Sequence, residues 1–153
     1  MDTKKQLLIK SINEAFRNVR LEDGIGLLEA NAMDNYISSE EIKDIKKKDE
    51  RMDWNNIPTH LLNECHYSLS YFDAKGMRFH LPVFMLASLK NNEYRFDLVS
   101  KLIHLTPYTI SQFESLSKNQ KNAVFLFLEY MKDENYQLDK EDIEKSLKEY
   151  WLK

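Results

Sequence analysis

Apolar residues recur along most of this chain at the three- and four-residue spacing of an amphipathic helix. Apolar residues at this spacing predict helices after the turn at Asp23-Gly24, from Pro58 onward, before Thr106-Pro107, and after an N-cap at Asp139. The chain is therefore predicted to be all-α, a single compact domain over residues 1–153, with about six or seven helices. The clearest stripe is the first, whose apolar positions share one helix face: Leu8, Ile12, Ala15, Phe16 and Val19.

Two stretches are apolar enough to form the centre of such a domain. Residues 77–89 are apolar on nearly every side, and Pro82 is expected to set the start of this helix or to kink it. Residues 123–131 carry a second core stripe, which follows Ser117 and Gln120 at capping-box spacing. We therefore expect a core built around residues 77–89, as the central helix, and residues 123–131.

Composition supports helices and argues against several classes of protein. Only three glycines and three prolines occur in 153 residues, which leaves few positions for tight hairpins or phosphate-binding loops. A lone cysteine, no apolar leader and no apolar run of membrane-spanning length favour a cytoplasmic protein. The net charge of −3 gives no general attraction to nucleic acid. We therefore expect neither nucleic acid nor a membrane as a partner.

Two candidate reactive groups near residue 65 have ordinary structural explanations. His60 and Glu64 are four residues apart, which places two potential ligands on one helix face but lacks the further ligands of a zinc motif. Cys65 falls among leucines at core spacing, where a free cysteine behaves as a small hydrophobic residue. The sequence therefore predicts no metal ion, no cofactor and no cysteine nucleophile.

The densest polar group beside the predicted central helix consists of Asp73, Arg78 and His80. An aspartate–arginine pair with a nearby histidine could hold an anion or assist acid–base chemistry. In the structural alternative, Asp73 caps the helix and Arg78 bonds a carboxylate or buried carbonyl groups. The sequence leaves both interpretations open. Together with Trp54, an aromatic residue just before the preceding helix, these three residues form the predicted binding set.

The same region carries a recognisable signature. DWNNIP begins at Asp53 and LSYFDAKGMRFHLPVFM begins at Leu69; together they resemble the pattern DWxxIP … LSxxDxxGxRFxLPxFM of a bacterial family of unknown function. Leu105-Thr106-Pro107 and the Tyr150-Trp151 ending are also similar, so the resemblance extends from Asp53 onward. Ala74 departs from it, since the family has proline there. The resemblance implies a small, bacterial, cytosolic protein and brings no substrate, cofactor or catalytic residue.

Three kinds of function fit these features. The leading hypothesis is a non-enzymatic protein-binding protein, most concretely an immunity protein or antitoxin that neutralises a bacterial toxin through an acidic, aromatic-bearing surface. The alternative is a small enzyme or anion-binding domain with its site around Asp73, Arg78 and His80. A third is a scaffold or regulator that docks through the charged residues 40–51. The sequence does not determine the oligomeric state.

Overall fold

The regular structure of the chain is helical throughout the part that the computed structural model describes, which is residues 3–90, 93–134 and 140–152. Its helices are α1 (Thr3–Ala15), α2 (Leu27–Asp34), α3 (Ser39–Lys46), α4 (Thr59–Glu64), α5 (Ala74–Leu89), α6 (Leu98–Ile103), α7 (Pro107–Phe113), α8 (Lys118–Glu134) and α9 (Lys140–Ser146). Short 3₁₀ turns at Trp54–Asn56 and His66–Ser70 flank α4, and a π-helical turn at Leu147–Trp151 continues α9. The all-α prediction is confirmed. Within the described ranges, none of these helices is long and apolar enough to cross a membrane.

Side-chain caps determine where many of these helices begin. Before α8, the N–H of Gln120 donates to Oγ of Ser117 at 3.2 Å, while the N–H of Ser117 donates to Oε1 of Gln120 at 2.9 Å. This reciprocal pair is the predicted capping box. The predicted cap at Asp139 lies outside the described residues. The N-cap side chains of α3, α5, α6 and α7 each accept a hydrogen bond from the N–H three residues on: Ser38, Asp73, Asp97 and Thr106.

Nine α-helices lie in the described part of the chain, more than the six or seven expected, and α7 shows one reason. The sequence analysis placed only a helix stop at Thr106-Pro107. In the structure, Thr106 caps a new helix that has Pro107 at its first position, and Thr109 completes a reciprocal capping box. Proline suits this position because an N–H group at the start of a helix has no acceptor within the helix, so its absence costs no hydrogen bond.

The helix α5 is central, as predicted. Twelve of its sixteen residues are buried, and it contacts α1, α6, α7 and the 3₁₀ turn at Trp54–Asn56. The buried face of α8 packs against α1 and supplies the second expected part of the core. The prediction that Pro82 could start α5 is wrong, because Asp73 caps the helix earlier and Pro82 lies inside it.

The charged segment of residues 40–51 is a surface helix over its first part. The helix α3 has no buried residue and packs beside α2. Beyond α3 the chain returns to the body of the protein, where the half-buried Asp49 caps another helix. The segment is therefore tied down at its end.

Candidate functional site

Asp73 joins the first turn of α5 to the loop before α2. Its Oδ1 accepts a hydrogen bond from the N–H of Gly76 at 2.8 Å and another from the N–H of Ile25 at 3.0 Å. The first bond caps α5, and the second holds the loop on the helix. Oδ1 of Asp73 is therefore engaged in the structural role that the sequence analysis gave as the alternative to ligand binding.

Gly76 makes this close approach of loop and helix possible. A Cβ at Gly76 would collide with the carbonyl oxygen of Ile25 and lie 2.9 Å from Oδ1 of Asp73. Gly24 on the loop is also tight, since a Cβ there would lie 2.8 Å from Cβ of Lys75. Backbone atoms cannot move aside as the end of a flexible side chain does. The packing of the loop on α5 therefore requires glycine.

Arg78 faces Glu22 and does not pair with Asp73. Its Nη2 lies 4.0 Å from Oε2 of Glu22, and its Nε is buried without a hydrogen-bond partner among the described residues. Glu22, whose φ is 56°, also lies 3.3 Å from Nζ of Lys75. Charged side chains thus connect the loop to α5. We call Glu22, Asp73, Gly76 and Arg78 the α5 junction.

His80 lies inside the core. Its ring is fully buried, stacks on Phe72 with 4.3 Å between centroids, and meets Phe79 edge-on at 5.0 Å. Nδ1 is 2.7 Å from the carbonyl oxygen of Gly76, which places the proton of the neutral ring on Nδ1 as a donor. Burial lowers the pKa of His80 to about 4, so the ring is neutral at pH 7. Its Nε2 has no hydrogen-bond partner among the described residues.

Asp73 and His80 both bond Gly76, whereas Arg78 and Trp54 face other parts of the chain. Arg78 and His80 are two positions apart on α5, and a rotation of about 100° per residue directs them to opposite sides of the helix. Trp54 is buried and donates from Nε1 to the carbonyl oxygen of Phe16 at 3.0 Å. Trp54 also lines a surface groove of about 440 Å³ beside Arg17. Each of the four residues contributes to packing or holds another part of the chain.

Asp49 caps α2 from a distant point in the sequence. Its carboxylate accepts hydrogen bonds from the N–H of Leu28 at 2.7 Å and from that of Glu29 at 3.1 Å. Gly26 is the N-cap residue and has no side chain for this purpose, and a Cβ there would collide with Asp49. Burial raises the pKa of Asp49, although the two amide bonds oppose this. No local sequence pattern indicates this contact, because Leu28 and Asp49 are 21 positions apart.

A second region gathers aromatic side chains on the surface. We call Asp34, Tyr36, Tyr71 and Tyr108, which come from the end of α2, the turn before α5 and the start of α7, the tyrosine face. The Asp34 side chain acts on the Tyr71 hydroxyl and raises the pKa of Tyr71, and burial adds to the effect. Tyr36 and Tyr108 act electrostatically on the same hydroxyl. Tyr108 is placed beside Tyr71 by its hydroxyl, which donates to the carbonyl oxygen of Ser70.

Tyr36 is held in solvent by the end of α2. It is 93% exposed, and its φ of 57° is in the left-handed region. The N–H of Tyr36 donates to the carbonyl oxygen of Met33 at 3.3 Å, and that of Ile37 donates to Ala32 at 3.1 Å. This is the bond pattern of a Schellman motif, in which glycine is the usual residue at the left-handed position. A side chain there costs roughly 1 kcal/mol, and the ring of Tyr36 buries almost nothing in return.

Tyr108 is anchored although it is 55% exposed. Its hydroxyl donates to the carbonyl oxygen of Ser70 at 2.5 Å. Nζ of Lys101 lies 5.8 Å from the centroid of the Tyr108 ring and donates to Oε1 of Gln112 at 2.6 Å. Gln112 donates in turn to two backbone carbonyl oxygens next to Tyr71. These bonds hold α7 and its tyrosine against the turn that carries Tyr71.

Cys65 is a buried thiol, as predicted. Burial, reinforced by the charges of Glu64 and Asp49, raises the pKa of Cys65 to about 11. The thiolate needed for nucleophilic or redox chemistry is therefore disfavoured at neutral pH. Among the residues that the structure describes, no group of three or more His, Cys, Asp or Glu side chains is placed to hold a metal ion.

Comparison with known proteins places the chain in a family. The model of the family of unknown function DUF6714 matches residues 4–153, and the chain belongs to this family. The match covers more of the chain than the resemblance from Asp53 onward indicated. Neither the curated proteins nor the solved structures give a significant match. Because the function of the family is unknown, the evidence for function comes from the chain's own surfaces.

Proposed function

We propose that this member of DUF6714 is a non-enzymatic protein-binding protein and that the tyrosine face is its contact surface. The observation that carries the proposal is Tyr36, a 93% exposed ring at a helix end where glycine would be more stable. A residue that destabilises the fold and contacts little of it has its use outside the fold. Tyrosine is also among the residues that contribute most to protein interfaces.

The tyrosine face is partly ordered in advance. The hydroxyl of Tyr108 is bonded to the backbone at Ser70. Immobilising a free side chain on binding costs about 0.5–1.5 kcal/mol, and a ring that is already held avoids most of this cost. Tyr108 is therefore prepared for an interface, and Tyr36 is the ring that a partner would bury most.

The most concrete role within this class is that of a bacterial, cytoplasmic immunity protein or antitoxin, which neutralises a cognate toxin by covering a surface the toxin needs. Such a protein requires no catalytic group of its own and acts through a few desolvated anchor residues. The net charge of −3 and the carboxylate of Asp34 within the face favour a basic partner.

The alternative site around Asp73, Arg78 and His80 has weaker support. Oδ1 of Asp73 is engaged by two backbone N–H groups, and His80 is fully buried. Arg78 has a buried Nε without a partner among the described residues, but its guanidinium faces Glu22. The docking-arm hypothesis for residues 40–51 is also weaker, because Asp49 at the end of that segment caps α2.

The test begins with affinity capture of a partner by the tagged chain in its native cell. Tyr36→Gly and Tyr108→Ala, separately and together, are expected to weaken capture of that partner by at least tenfold. The control is Leu7→Ala, which removes an exposed apolar side chain from α1. If expression of the partner alone arrests growth, the wild-type chain should restore growth and the double variant should not.

Two results would contradict the proposal. Undiminished capture by the double variant would show that the tyrosine face is not the contact surface. A partner that is harmless when expressed alone would reject the immunity or antitoxin role, while leaving protein binding intact.

A further inference from the structure

We propose that a surface groove beside the end of α1 binds the phosphate group of a small organic phosphate monoester. The groove has a volume of about 440 Å³, which lies within the range of small-molecule sites. One wall carries Asn13 and residues 17–20, from α1 and the segment after it, and the other wall carries residues 52–55. We call this space the arginine groove. Its residues are not those of the tyrosine face, so the inference goes beyond the proposed function.

The two walls of the arginine groove are held together by the fold itself. Nε1 of Trp54 donates to the carbonyl oxygen of Phe16 at 3.0 Å. The N–H of Leu21 donates to the carbonyl oxygen of Arg51 at 2.9 Å. A groove whose walls are already fixed does not have to be ordered by its ligand, and this lowers the cost of binding.

Arg17 and Arg20 give the groove its charge. Both side chains are exposed, and neither takes part in an ion pair between described residues. Arg51 and Arg78 differ from them, since Arg51 donates to the backbone of Glu22 and Arg78 faces its carboxylate. Arg17 and Arg20 therefore keep their charge for a ligand.

The groove has an excess of positive charge. Asp53 is the acidic residue among the described residues that line it, and Oδ1 of Asp53 accepts the N–H of Asn55 at 3.0 Å. One carboxylate against two guanidinium groups leaves the groove positive, although the chain as a whole has a net charge of −3. Because guanidinium groups bind oxyanions through paired hydrogen bonds, an oxyanion is the ligand that this groove attracts.

A phosphate monoester matches these groups better than a carboxylate does. Each guanidinium donates two parallel hydrogen bonds, so two of them can serve more oxygens than the two of a carboxylate. A phosphate monoester has three terminal oxygens and a charge of about −1.5 to −2 at pH 7. Asn18 and Asn55 line the groove as well, and their side-chain amides are further donors.

The groove also offers apolar surface to the organic part of such a ligand. Met52 is 58% exposed and lines the groove together with Val19. An organic group attached to the phosphate would cover this surface and remove it from water. An organic monoester is therefore expected to bind more tightly than inorganic phosphate.

The test is isothermal titration calorimetry of the full chain with four probes: phenyl phosphate, inorganic phosphate, benzoate and the peptide acetyl-Gly-phosphotyrosine-Gly-amide. Phenyl phosphate is expected to bind saturably and more tightly than the other three. Failure of phenyl phosphate to bind at millimolar concentration would overturn the inference. Equal binding of benzoate would overturn the assignment to phosphate, and equal binding of inorganic phosphate would overturn the assignment to an organic monoester. Tighter binding of the peptide would assign the groove to a phosphorylated protein and overturn the small-molecule assignment.

Arg17→Gln and Arg20→Gln are the decisive variants. Each removes a charge from an exposed position, so the fold is expected to remain, which urea denaturation checks. Each should weaken phenyl phosphate binding about tenfold, because a charged hydrogen-bond donor is lost. Arg17→Lys keeps the charge without the fork of donors and should recover only part of the loss. Arg95→Gln, at an exposed position outside the groove, is the matched control. Unchanged binding in both decisive variants, or an equal loss in Arg95→Gln, would overturn the inference.

The outcome is separable from that of the proposed function. The double variant with Tyr36→Gly and Tyr108→Ala should bind phenyl phosphate as wild type does, because both changes lie at the tyrosine face. A loss of phenyl phosphate binding in that variant would place the ligand outside the arginine groove and overturn the inference. Capture of the protein partner by the same variant tests the proposed function on its own.

Discussion

At the α5 junction polar groups hold a loop on a helix and backbone approaches backbone, whereas at the tyrosine face the ring of Tyr36 lies in solvent on a backbone that favours glycine. Gly76 illustrates the first region, since even one added carbon would collide with the loop. Tyr36 illustrates the second, since its whole side chain is an addition that the helix end does not need. At Gly76 the structure requires the smallest residue, whereas at Tyr36 a large residue stands where glycine is usual.

The contrast separates residues that build the fold from residues that are available to a partner. Asp73, Gly76 and Arg78 belong to the recognisable signature, and all three hold the loop and α5 together. Tyr36 and Tyr108 lie outside the signature segments, and Tyr71 occupies one of the open positions of LSxxD. A signature made of caps and close contacts therefore identifies the fold without identifying the function.

The largest effect on stability is expected from Gly76→Ala. The new Cβ would meet the carbonyl oxygen of Ile25 and force the loop away from α5, which should lower the free energy of unfolding by about 3 kcal/mol. Urea denaturation measures this change. Lys75→Ala on the same turn removes exposed ion pairs only and should cost less than about 1 kcal/mol. Equal stability of Gly76→Ala and wild type would show that the loop does not lie on α5 as described.

The next largest effect is a dependence of the free energy of unfolding on pH, and it comes from His80. The folded state holds its pKa at about 4, below the ordinary histidine value of 6.5, so the unfolded state binds the proton first as the pH falls. This contribution to stability is complete above pH 6.5, the pKa in the unfolded state. It is lost as the pH falls toward about 4, the pKa in the folded state. Going from about pH 7.5 to about pH 5 should lower the free energy of unfolding by roughly 2 kcal/mol.

His80→Leu isolates this contribution. Leucine has a similar volume, and the backbone bond within α5 still reaches the Gly76 carbonyl oxygen, so stability at pH 7 should change by less than about 1.5 kcal/mol. The loss between pH 7.5 and 5 should shrink relative to wild type, with Asp49, whose raised pKa acts in the opposite direction, contributing to both proteins. His60→Gln, at an exposed position, is the control. An unchanged pH profile in His80→Leu would show that the buried histidine is not the source.

The sequence predicted the parts of this fold that depend on local pattern. The apolar surface of α5 and the Ser117–Gln120 box are readable because helix periodicity and capping act over three or four residues. α7 was missed because Thr106-Pro107 serves equally as a stop and as a start. The cap from Asp49 was missed because it depends on a contact between distant parts of the chain.

The tyrosine face was beyond sequence reasoning for a different reason. Its side chains come from three elements separated by long stretches of chain, and no period links residues 36, 71 and 108. The left-handed backbone of Tyr36 is also hidden, because tyrosine gives no sign of it. The opposite error was made for Arg78 and His80. They are close in the sequence and were therefore expected to be close in space.

A smaller loss of stability is expected at the α5 junction, and it distinguishes a capping role of Asp73 from a ligand-binding role. Asp73→Ala removes the acceptor for two backbone N–H groups and should cost about 1.5 kcal/mol in urea denaturation. Asp73→Asn keeps an acceptor oxygen and is expected to recover most of this loss, because asparagine is also a good N-cap. If Asp73→Ala instead leaves stability unchanged and abolishes binding of the captured partner, the junction is the functional site and the comparison is reversed.

The smallest effect on stability has the opposite sign and comes from Tyr36→Gly. Glycine removes the strain of the left-handed backbone but gives up more conformational entropy on folding, so the net gain should be about 0.5 kcal/mol. Tyr36→Ala keeps a Cβ and should show no such gain. Both variants lack the ring, and both should weaken capture of the partner to the same degree. A variant that is more stable and yet binds less separates the two roles, because loss of folding cannot then explain loss of binding. If Tyr36→Gly is instead destabilised, the ring supports the fold, and Tyr36 belongs with Gly76 among the residues that build it.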